Sequence, residues 1–229
     1  MSACSTGMDN NGEVKAFFVQ SLSELAAQRP PAGQEVVHFT ESLARAVIEQ
    51  YSSEGDRVLD PFAGYGTTLV VAERLGRRAC GVELMPERTG QIRARTGRGA
   101  EVVEGDARQL SSLVSGSFDL CLTSPPYMTA NDHPENPLTA YATRDGDYTT
   151  YLREIGSVFR QLTALLRPGG YAVVNVANTV ADDVMTPLAW DVARVVSEHL
   201  VLRQESFVCW DQQPPGITGD YCLVFQRRV

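Results

Sequence analysis

The sequence predicts an α/β fold, with a doubly wound, mostly parallel seven-stranded sheet and a C-terminal antiparallel hairpin. Short apolar runs typical of strands alternate with stretches whose apolar residues recur at helical spacing, as in parallel α/β sheets. Near the end of the chain, two apolar runs are joined by the Pro/Gly-rich segment DQQPPGITG, the pattern of a hairpin. The 229 residues are enough for one large domain with a proper core.

Each element has its own signal in the chain. The first residues are polar, and we expect a disordered lead-in over 1–12 followed by a single domain over 13–229. Strands are expected at 57–60, 78–84, 100–107, 117–124, 171–178, 206–210 and 220–225. Helices are expected at about 13–27, 40–51, 67–75, after Pro86, from Tyr148 to the stop at Pro168–Gly170, and from Thr186 to Leu200. Thr40 is placed to cap the second helix, and Pro86 suits a first helical turn.

The charge balance limits the classes of partner. The net charge is −8 and the pI is near 4.9, whereas a nucleic-acid binder normally has a basic surface. Arginines cluster between positions 74 and 98, and we interpret them first as solvated helix surface. There is no run of about 18 apolar residues and no apolar core of a signal peptide at the N-terminus. We therefore expect no membrane association and a cytoplasmic location.

The five cysteines show no Cys-x-x-Cys pair. They are Cys4, Cys80, Cys121, Cys209 and Cys222. All but Cys4 lie in apolar, strand-like runs, where a free cysteine behaves as a small hydrophobic residue. We expect reduced core thiols and no metal site.

Three acidic residues follow three successive predicted strands. Asp60 precedes the turn PFAGYGTT, Glu83 ends the second strand, and Asp106 follows the third. Gly64 and Gly66 in that turn would let the backbone approach a ligand, although glycines there also serve packing. Ligands of open α/β sheets bind at this edge, but three carboxylates do not suit a pyrophosphate. A cationic ligand with an amino group and a sulfonium fits better, which indicates S-adenosylmethionine rather than NAD.

Two motifs together carry a family resemblance. DPFAGYGTT after the first predicted strand and TSPPY after the fourth resemble the amino-methylating S-adenosylmethionine-dependent methyltransferases, known best as DNA N4-cytosine and N6-adenine methylases. The resemblance covers roughly residues 36–229 and implies a Rossmann-like domain. The cofactor-binding residues it implies are Thr40, Asp60, Phe62, Ala63, Gly64, Gly66, Thr67, Glu83, Leu84, Asp106 and Ala107.

The resemblance also implies individual roles. The turn residues would wrap the methionine part of the cofactor, and Glu83 would accept hydrogen bonds from both ribose hydroxyls. Asp106 would face the adenine amino group, and Leu84 would pack on the adenine ring. Thr40, in the segment HFTESL, would lie near the methionine carboxylate, unless it serves only as a helix cap.

The catalytic residues implied are Ser124, Pro125, Pro126 and Tyr127. An exocyclic amine on a heteroaromatic ring is a poor nucleophile because its lone pair is delocalised into the ring. Acceptors aimed at both N–H bonds localise that lone pair, and the Ser124 hydroxyl and the Pro125 carbonyl would be those acceptors. The two prolines stiffen the loop, and Tyr127 would stack on the inserted ring.

The acceptor is left open between several classes. Ser124 in the first motif position resembles the N4-cytosine group more than the N6-adenine group, so cytosine in DNA is the first expectation. Little sequence remains for target recognition beyond the loops 128–147 and 212–219, and the first is acidic. DNA methylation would then need minimal recognition, a homodimer or a partner subunit.

The alternatives are a small-molecule amine, a nucleoside or RNA as acceptor, and a non-catalytic cofactor-binding subunit. His133 in the first loop is interpreted as solvated rather than as a base.

Overall fold

A computed structural model of the chain describes residues 16–28, 39–130 and 135–229. Its strands are β1 (Phe17–Gln20), β2 (Arg57–Asp60), β3 (Arg78–Glu83), β4 (Ala100–Glu104), β5 (Phe118–Thr123), β6 (Leu166–Ala181), β7 (Val184–Thr186), β8 (Val201–Trp210) and β9 (Ile217–Gln226). Its α-helices are α1 (Leu22–Ala27), α2 (Glu41–Tyr51), α3 (Thr67–Arg74), α4 (Pro86–Arg95), α5 (Leu110–Leu113), α6 (Tyr148–Leu165) and α7 (Leu188–Ser197). The expected lead-in at 1–12 lies outside the described residues.

The strands form one sheet in the order β1-β8-β9-β6-β5-β2-β3-β4, with β7 paired to β6. The pairs from β4 through β3, β2 and β5 to β6 are parallel, and β9 runs antiparallel between β6 and β8. The predicted α/β class, the mostly parallel sheet and the C-terminal hairpin are confirmed. The chain moves from β2 to β3 and β4 on one side, and to β5 and β6 on the other. The carboxyl ends of β2 and β5 therefore flank the switch point at which such sheets bind ligands.

The predicted number of seven strands is wrong, because two short strands join the seven expected ones. Residues 13–27 were expected to form one helix, but Phe17–Gln20 is a strand paired in parallel with β8, and only Leu22–Ala27 is helical. Val184–Thr186 turns back on β6 through Asp182 and Asp183, which both have positive φ. This pairing places β7 at the same edge of the sheet as the switch point.

Helices cover both faces of the sheet. Helices α2, α3 and α4 bury one apolar stripe each against one face, including Val47, Leu69 and Ile92. Helices α5, α6 and α7 cover the other face, where Phe159 and Val192 are fully buried. Burial of this kind contributes roughly 1.5–3 kcal/mol for each large apolar side chain. The cap predicted for α2 is confirmed, because the Thr40 hydroxyl accepts a hydrogen bond from the Leu43 amide at 3.2 Å.

The described cysteines are all free thiols. Cys80, Cys121 and Cys222 are buried as predicted, whereas Cys209 is exposed on β8, where buried and exposed residues alternate from Ser206 to Cys209. Within the described ranges, no group of three or more potential ligand residues could hold a metal ion. None of the helices described is long and apolar enough to cross a membrane.

Candidate active site

The carboxyl ends of β2 and β5 meet at the switch point. The two strands pair in parallel with Val58 opposite Leu120, so the turn after Asp60 and the loop after Thr123 lie next to each other. The Thr123 hydroxyl donates to Asp60 Oδ1 at 2.6 Å, and the Phe62 amide donates to the same oxygen at 3.1 Å. The two motifs that the sequence analysis combined are thus joined by a hydrogen bond.

Asp60 is a buried carboxylate that organises the turn. It is 3% exposed, and burial raises its pKa to about 6, although hydrogen bonds from Thr123, Thr68 and Phe62 oppose that rise. Charge repulsion from Glu83 adds to the increase. Asp60 does not line the pocket described below. Its carboxylate therefore acts on the protein's own turn and loop in this structure.

The two glycines of the turn have different functions. Gly66, with φ +83°, caps α3, and a Cβ there would lie 2.9 Å from the Ile92 side chain. Gly66 therefore allows close packing against α4. Of the two functions expected for these glycines, packing and approach to a ligand, this is the first. Gly64, with φ +56°, leaves room for a Cβ, whose nearest neighbour would be the Phe62 carbonyl oxygen at 3.9 Å, and it donates its N–H to Glu83 Oε2 at 2.8 Å. Gly64 alone of this pair lines the pocket.

Glu83 lies at the end of β3 with its carboxylate in a buried position. Its two oxygens accept hydrogen bonds from the Gly64 amide and the Met85 amide, both at 2.8 Å. Burial raises its pKa, and the two backbone hydrogen bonds and the nearby Arg88 charge oppose that increase. Each carboxylate oxygen can accept a second hydrogen bond. Glu83 can therefore hold two vicinal hydroxyls without giving up its backbone partners.

A pocket of about 110 Å³ adjoins these residues. It is lined by Pro61, Phe62, Gly64, Val82, Glu83, Leu84, Met85, Arg88, Gly105, Asp106, Ala107, Ser124, Pro126, Pro137, Leu138, Ala140 and Tyr141. The structure thus brings eight expected site residues together: Phe62, Gly64, Glu83, Leu84, Asp106, Ala107, Ser124 and Pro126. The expected residues outside the lining are Thr40, Asp60, Ala63, Gly66, Thr67, Pro125 and Tyr127. The lining combines apolar walls with two carboxylates, those of Glu83 and Asp106.

Asp106 is engaged by a neighbour that the sequence analysis did not single out. Its carboxylate accepts from the Arg108 amide at 2.9 Å and from the Arg108 guanidinium, with the shortest contact 2.7 Å. The same guanidinium lies 3.2 Å from Glu154 on α6. This pairing stabilises the turn after β4, and it leaves Asp106 less free to bind a ligand than expected. In the sequence, only the spacing Asp-x-Arg could have indicated this ion pair between Asp106 and Arg108.

Ser124 is the first residue of the predicted catalytic loop. It is 7% exposed and lines the pocket, and its Oγ makes no hydrogen bond to any residue that the structure describes. The Ser124 hydroxyl lowers the pKa of the neighbouring Tyr127 phenol, against the larger effect of burial, which raises it. Leaving a buried hydroxyl without a partner costs about 1–3 kcal/mol. A bound ligand that donates a hydrogen bond to Ser124 would remove this penalty.

The rest of the loop is anchored to the protein. The Tyr127 hydroxyl accepts from the Ala177 amide of β6 at 3.0 Å, and burial raises the pKa of that phenol. The Tyr151 hydroxyl donates to the Pro126 carbonyl at 2.8 Å, and the Ala130 amide donates to Thr186 Oγ1 at 2.9 Å. The loop is therefore held in one position before any ligand binds. Stacking of Tyr127 on an inserted ring stays a prediction.

The acidic residues of loop 128–147 that the structure describes are engaged by neighbouring groups. Asp147 caps α6 by accepting from the Thr150 amide at 2.6 Å, and Glu135 pairs with Arg144 at 3.2 Å. Asp145 accepts a short hydrogen bond from Thr143. Asp132 and His133 lie outside the described residues, as does His38 near Thr40. Apolar residues of the loop line the pocket. The length of the loop could be read from the sequence, but its contact with the pocket could not.

Comparisons with known proteins agree with this geometry. A family model described as DNA methylase matches residues 26–93. The type II methyltransferase M2.DpnII of Streptococcus pneumoniae is 46% identical over 80 residues, 35% of this chain and 29% of that protein. The 4-amino-L-phenylalanine/4-methylamino-L-phenylalanine methyltransferase of Streptomyces pristinaespiralis is 36% identical over 152 residues, 61% of this chain and 50% of that protein. The chain thus spans half or less of the length of these relatives.

Solved structures show the same fold. TrmN from Thermus thermophilus superposes with a TM-score of 0.61 at 20% identity, covering 83% of this chain and 50% of that one. This likeness concerns the fold alone. Similarity to a family is indicated by the sequence matches, and by the two motifs that meet at the switch point. Residues 26–93 therefore match the DNA methylase family, and the relatives that the chain resembles in sequence are methyltransferases.

Proposed function

We propose that the chain transfers a methyl group from S-adenosylmethionine to an exocyclic amine on an aromatic ring, with N4 of cytosine in DNA as the first acceptor and N6 of adenine as the second. The observation that carries the proposal is Ser124: a buried hydroxyl without a partner, at the switch point and on the wall of the cofactor pocket. An unpartnered acceptor at this place suits an N–H donor, and an exocyclic amine presents two.

The described residues fit the cofactor. Glu83 would bind the ribose hydroxyls, Leu84 and Phe62 would pack on the adenine, and Gly64 lets the chain approach closely. The buried carboxylates Asp60 and Glu83 place negative charge beside a cationic group. When bound, S-adenosylmethionine would supply an electrophilic methyl group on its sulfonium.

The chain's own groups would prepare the amine. Ser124 Oγ and the Pro125 carbonyl would accept the two N–H bonds, which draws the nitrogen toward a pyramidal geometry with a localised lone pair. The nitrogen would then take up the methyl group that S-adenosylmethionine supplies, with S-adenosylhomocysteine as the leaving product, and one amine proton would be released to solvent. The anchored Tyr127 and Tyr151 fix the loop, so that positioning supplies much of the rate.

A second candidate acceptor is a small aromatic amine. It is favoured by the Streptomyces pristinaespiralis relative, whose match covers 61% of this chain and whose name gives an aryl amine as acceptor. The net charge of −8 also disfavours tight binding of a polyanion. Methylation of DNA would then need a second copy or a partner subunit, as expected from the short recognition loops. RNA and nucleosides remain further acceptors to test, and the alternative of a non-catalytic subunit predicts cofactor binding without transfer.

The test is methyl transfer to matched acceptors. Purified protein and methyl-labelled S-adenosylmethionine are incubated with cytosine-containing duplex and single-stranded DNA, adenine-only DNA, RNA, nucleosides and 4-amino-L-phenylalanine, and mass spectrometry identifies the methylated base or amine. Ser124→Ala should reduce transfer by about a hundredfold. The control is Ser112→Ala, an exposed serine whose hydroxyl donates to the Gln109 carbonyl at 2.8 Å.

The outcomes separate the candidates. N4-methylcytosine lost in Ser124→Ala and kept in Ser112→Ala supports the DNA acceptor. Transfer to the amino acid alone overturns it in favour of the small amine. Cofactor binding without transfer to any acceptor overturns the proposed reaction.

A further inference from the structure

We infer that residues Asn136–Thr143, here called the lid, close the adenosine end of the cofactor pocket, and that Tyr141 contacts the adenine ring. The inference rests on the proposed cofactor site. From the sequence, this segment is expected to be part of a loop that recognises the acceptor.

The lid shares its pocket with the residues assigned to the adenosine group. Four of its residues line the pocket: Pro137, Leu138, Ala140 and Tyr141. On the other walls lie Leu84, which follows β3, and Ala107, which follows β4. The acceptor loop contributes Ser124 to the same lining. An adenine ring is flat and mostly apolar, and these side chains offer it apolar contact from the lid and from the sheet edge.

Hydrogen bonds inside the lid hold it together as a unit. The Asn136 amide donates to the Thr143 carbonyl at 2.9 Å, which joins the two ends of the segment. The Tyr141 amide donates to the Asn136 carbonyl at 3.0 Å, and Asn136 Oδ1 accepts from the Leu138 amide at 3.0 Å. The Asn136 side chain is buried. These bonds lie within the segment, which is anchored by the buried Leu138 and exposed from Tyr141 to Thr143, so the exposed part can move while the bond between the Leu138 amide and Asn136 Oδ1 is kept.

The backbone under Tyr141 is strained. Ala140 and Tyr141 have φ of +53° and +62°, two consecutive residues in the left-handed region that side chains other than glycine seldom adopt. Such strain persists where the surrounding structure holds it, and it concentrates at binding and switch segments. Here it directs a large aromatic residue, 42% exposed, to the rim of the pocket.

The size of the pocket indicates that part of the lid moves. The cavity measures about 110 Å³, whereas sites for ligands of drug size enclose roughly 300 Å³ or more. The enclosed part of the pocket is therefore smaller than a site that surrounds a whole ligand of that size. Leu138 anchors one end of the lid in the hydrophobic core, so the exposed residues from Tyr141 to Thr143 are the part that we expect to move.

Binding of S-adenosylhomocysteine, measured by calorimetry, tests the contact without depending on methyl transfer. Tyr141→Ala should weaken binding about tenfold, the cost of losing one aromatic face on a base, and Tyr141→Phe should stay within about twofold. Phe207→Ala, an exposed aromatic on β8 outside the pocket lining, should leave binding unchanged. Thermal melting of each variant checks that the fold is kept.

Fragments of the ligand locate the contact. Methylthioadenosine retains the adenine, and S-ribosylhomocysteine lacks it. Tyr141→Ala should weaken the first by the same factor as S-adenosylhomocysteine and leave the second unchanged. Equal losses for both fragments, or no loss for S-adenosylhomocysteine, would overturn the contact with adenine.

Proteolysis tests the movement. Limited proteolysis should cut the lid in the ligand-free protein and be suppressed by S-adenosylhomocysteine, and Asn136→Ala should increase both the cutting and the dissociation rate of the ligand severalfold. Cutting that is the same with and without ligand overturns the lid. If the wild type does not bind S-adenosylhomocysteine, the cofactor site and the lid both fail. Binding without methylation of any acceptor overturns only the proposed reaction.

Discussion

The Thr123 hydroxyl donates a hydrogen bond to Asp60 Oδ1 at 2.6 Å, and this bond joins the end of β5 to the end of β2. Both side chains are buried, so water cannot replace the bond. The glycine turn and the Ser-Pro-Pro-Tyr loop thereby keep a fixed relation, which is what a transfer between two bound molecules requires.

Replacing Thr123 by valine removes this bond with little change in volume. We expect a loss of about 2 kcal/mol in the free energy of unfolding at pH 7, because a charge-assisted hydrogen bond to a buried carboxylate is lost. Urea denaturation measures it. Thr139→Val, at a partly buried threonine whose bonds lie within the lid, is the control. Equal losses for the two variants would contradict the special role of the Thr123–Asp60 pair.

Replacing Glu83 by glutamine should weaken binding of S-adenosylhomocysteine roughly tenfold to a hundredfold. The neutral amide has one acceptor oxygen where the carboxylate has two, and hydrogen bonds to a charged group are about twice as strong. Calorimetry measures the change. Glu87→Gln on the first turn of α4 is the matched control. Unchanged binding in Glu83→Gln would rule out the ribose contact.

The two glycines of the turn should respond differently to alanine. Gly66→Ala should destabilise the protein by roughly 3 kcal/mol, because a left-handed backbone costs about 1–2 kcal/mol and the new Cβ also meets Ile92 at 2.9 Å. Gly64→Ala should cost only the backbone strain, since the nearest atom is 3.9 Å away. Thermal unfolding of both variants measures the two losses of stability. A larger loss for Gly64→Ala would show that packing against α4 is not what Gly66 serves.

A buried acid on β9 should make stability depend on pH. Burial raises the pKa of Asp220 to about 6 despite hydrogen bonds from Trp210 and Asn175. Because the folded pKa lies above the unfolded value near 3.9, the folded state binds this proton more tightly, and its stabilising effect is complete below pH 4 and lost by about pH 6.

Asp220→Asn removes that titration. The unfolding free energy of the wild type minus that of the variant should fall by roughly 2–3 kcal/mol between pH 4 and pH 7. Taking the difference cancels the exposed acids whose pKa is lowered, Asp145, Asp147 and Asp211. The nearby Tyr127 stays protonated throughout this range, because burial raises its pKa. A difference independent of pH would refute the raised pKa.

Most of the sheet could be predicted because its strands are buried on both faces and their apolar runs are short and clearly bounded. β1 could not. Its residues Phe17–Gln20 fit a helical pattern, and only the distant partner β8 makes them a strand. Local spacing carries no information about a partner almost two hundred residues away.

The candidate site also has a part that could be predicted from the sequence and a part that could not. Motifs placed Gly64, Glu83 and Ser124 at one pocket, because parallel strands end at a common edge. The Asp106–Arg108 pair and the lid could not be predicted, since they depend on side-chain choices and on a loop whose fold is set by its own hydrogen bonds.

The lid's internal bonding also bears on how such proteins diverge. A segment that satisfies its own backbone makes few demands on the framework beneath it, so its sequence can be exchanged while the sheet and the glycine turn persist. A lineage could then change which ligand enters the pocket by replacing the one segment between β5 and α6.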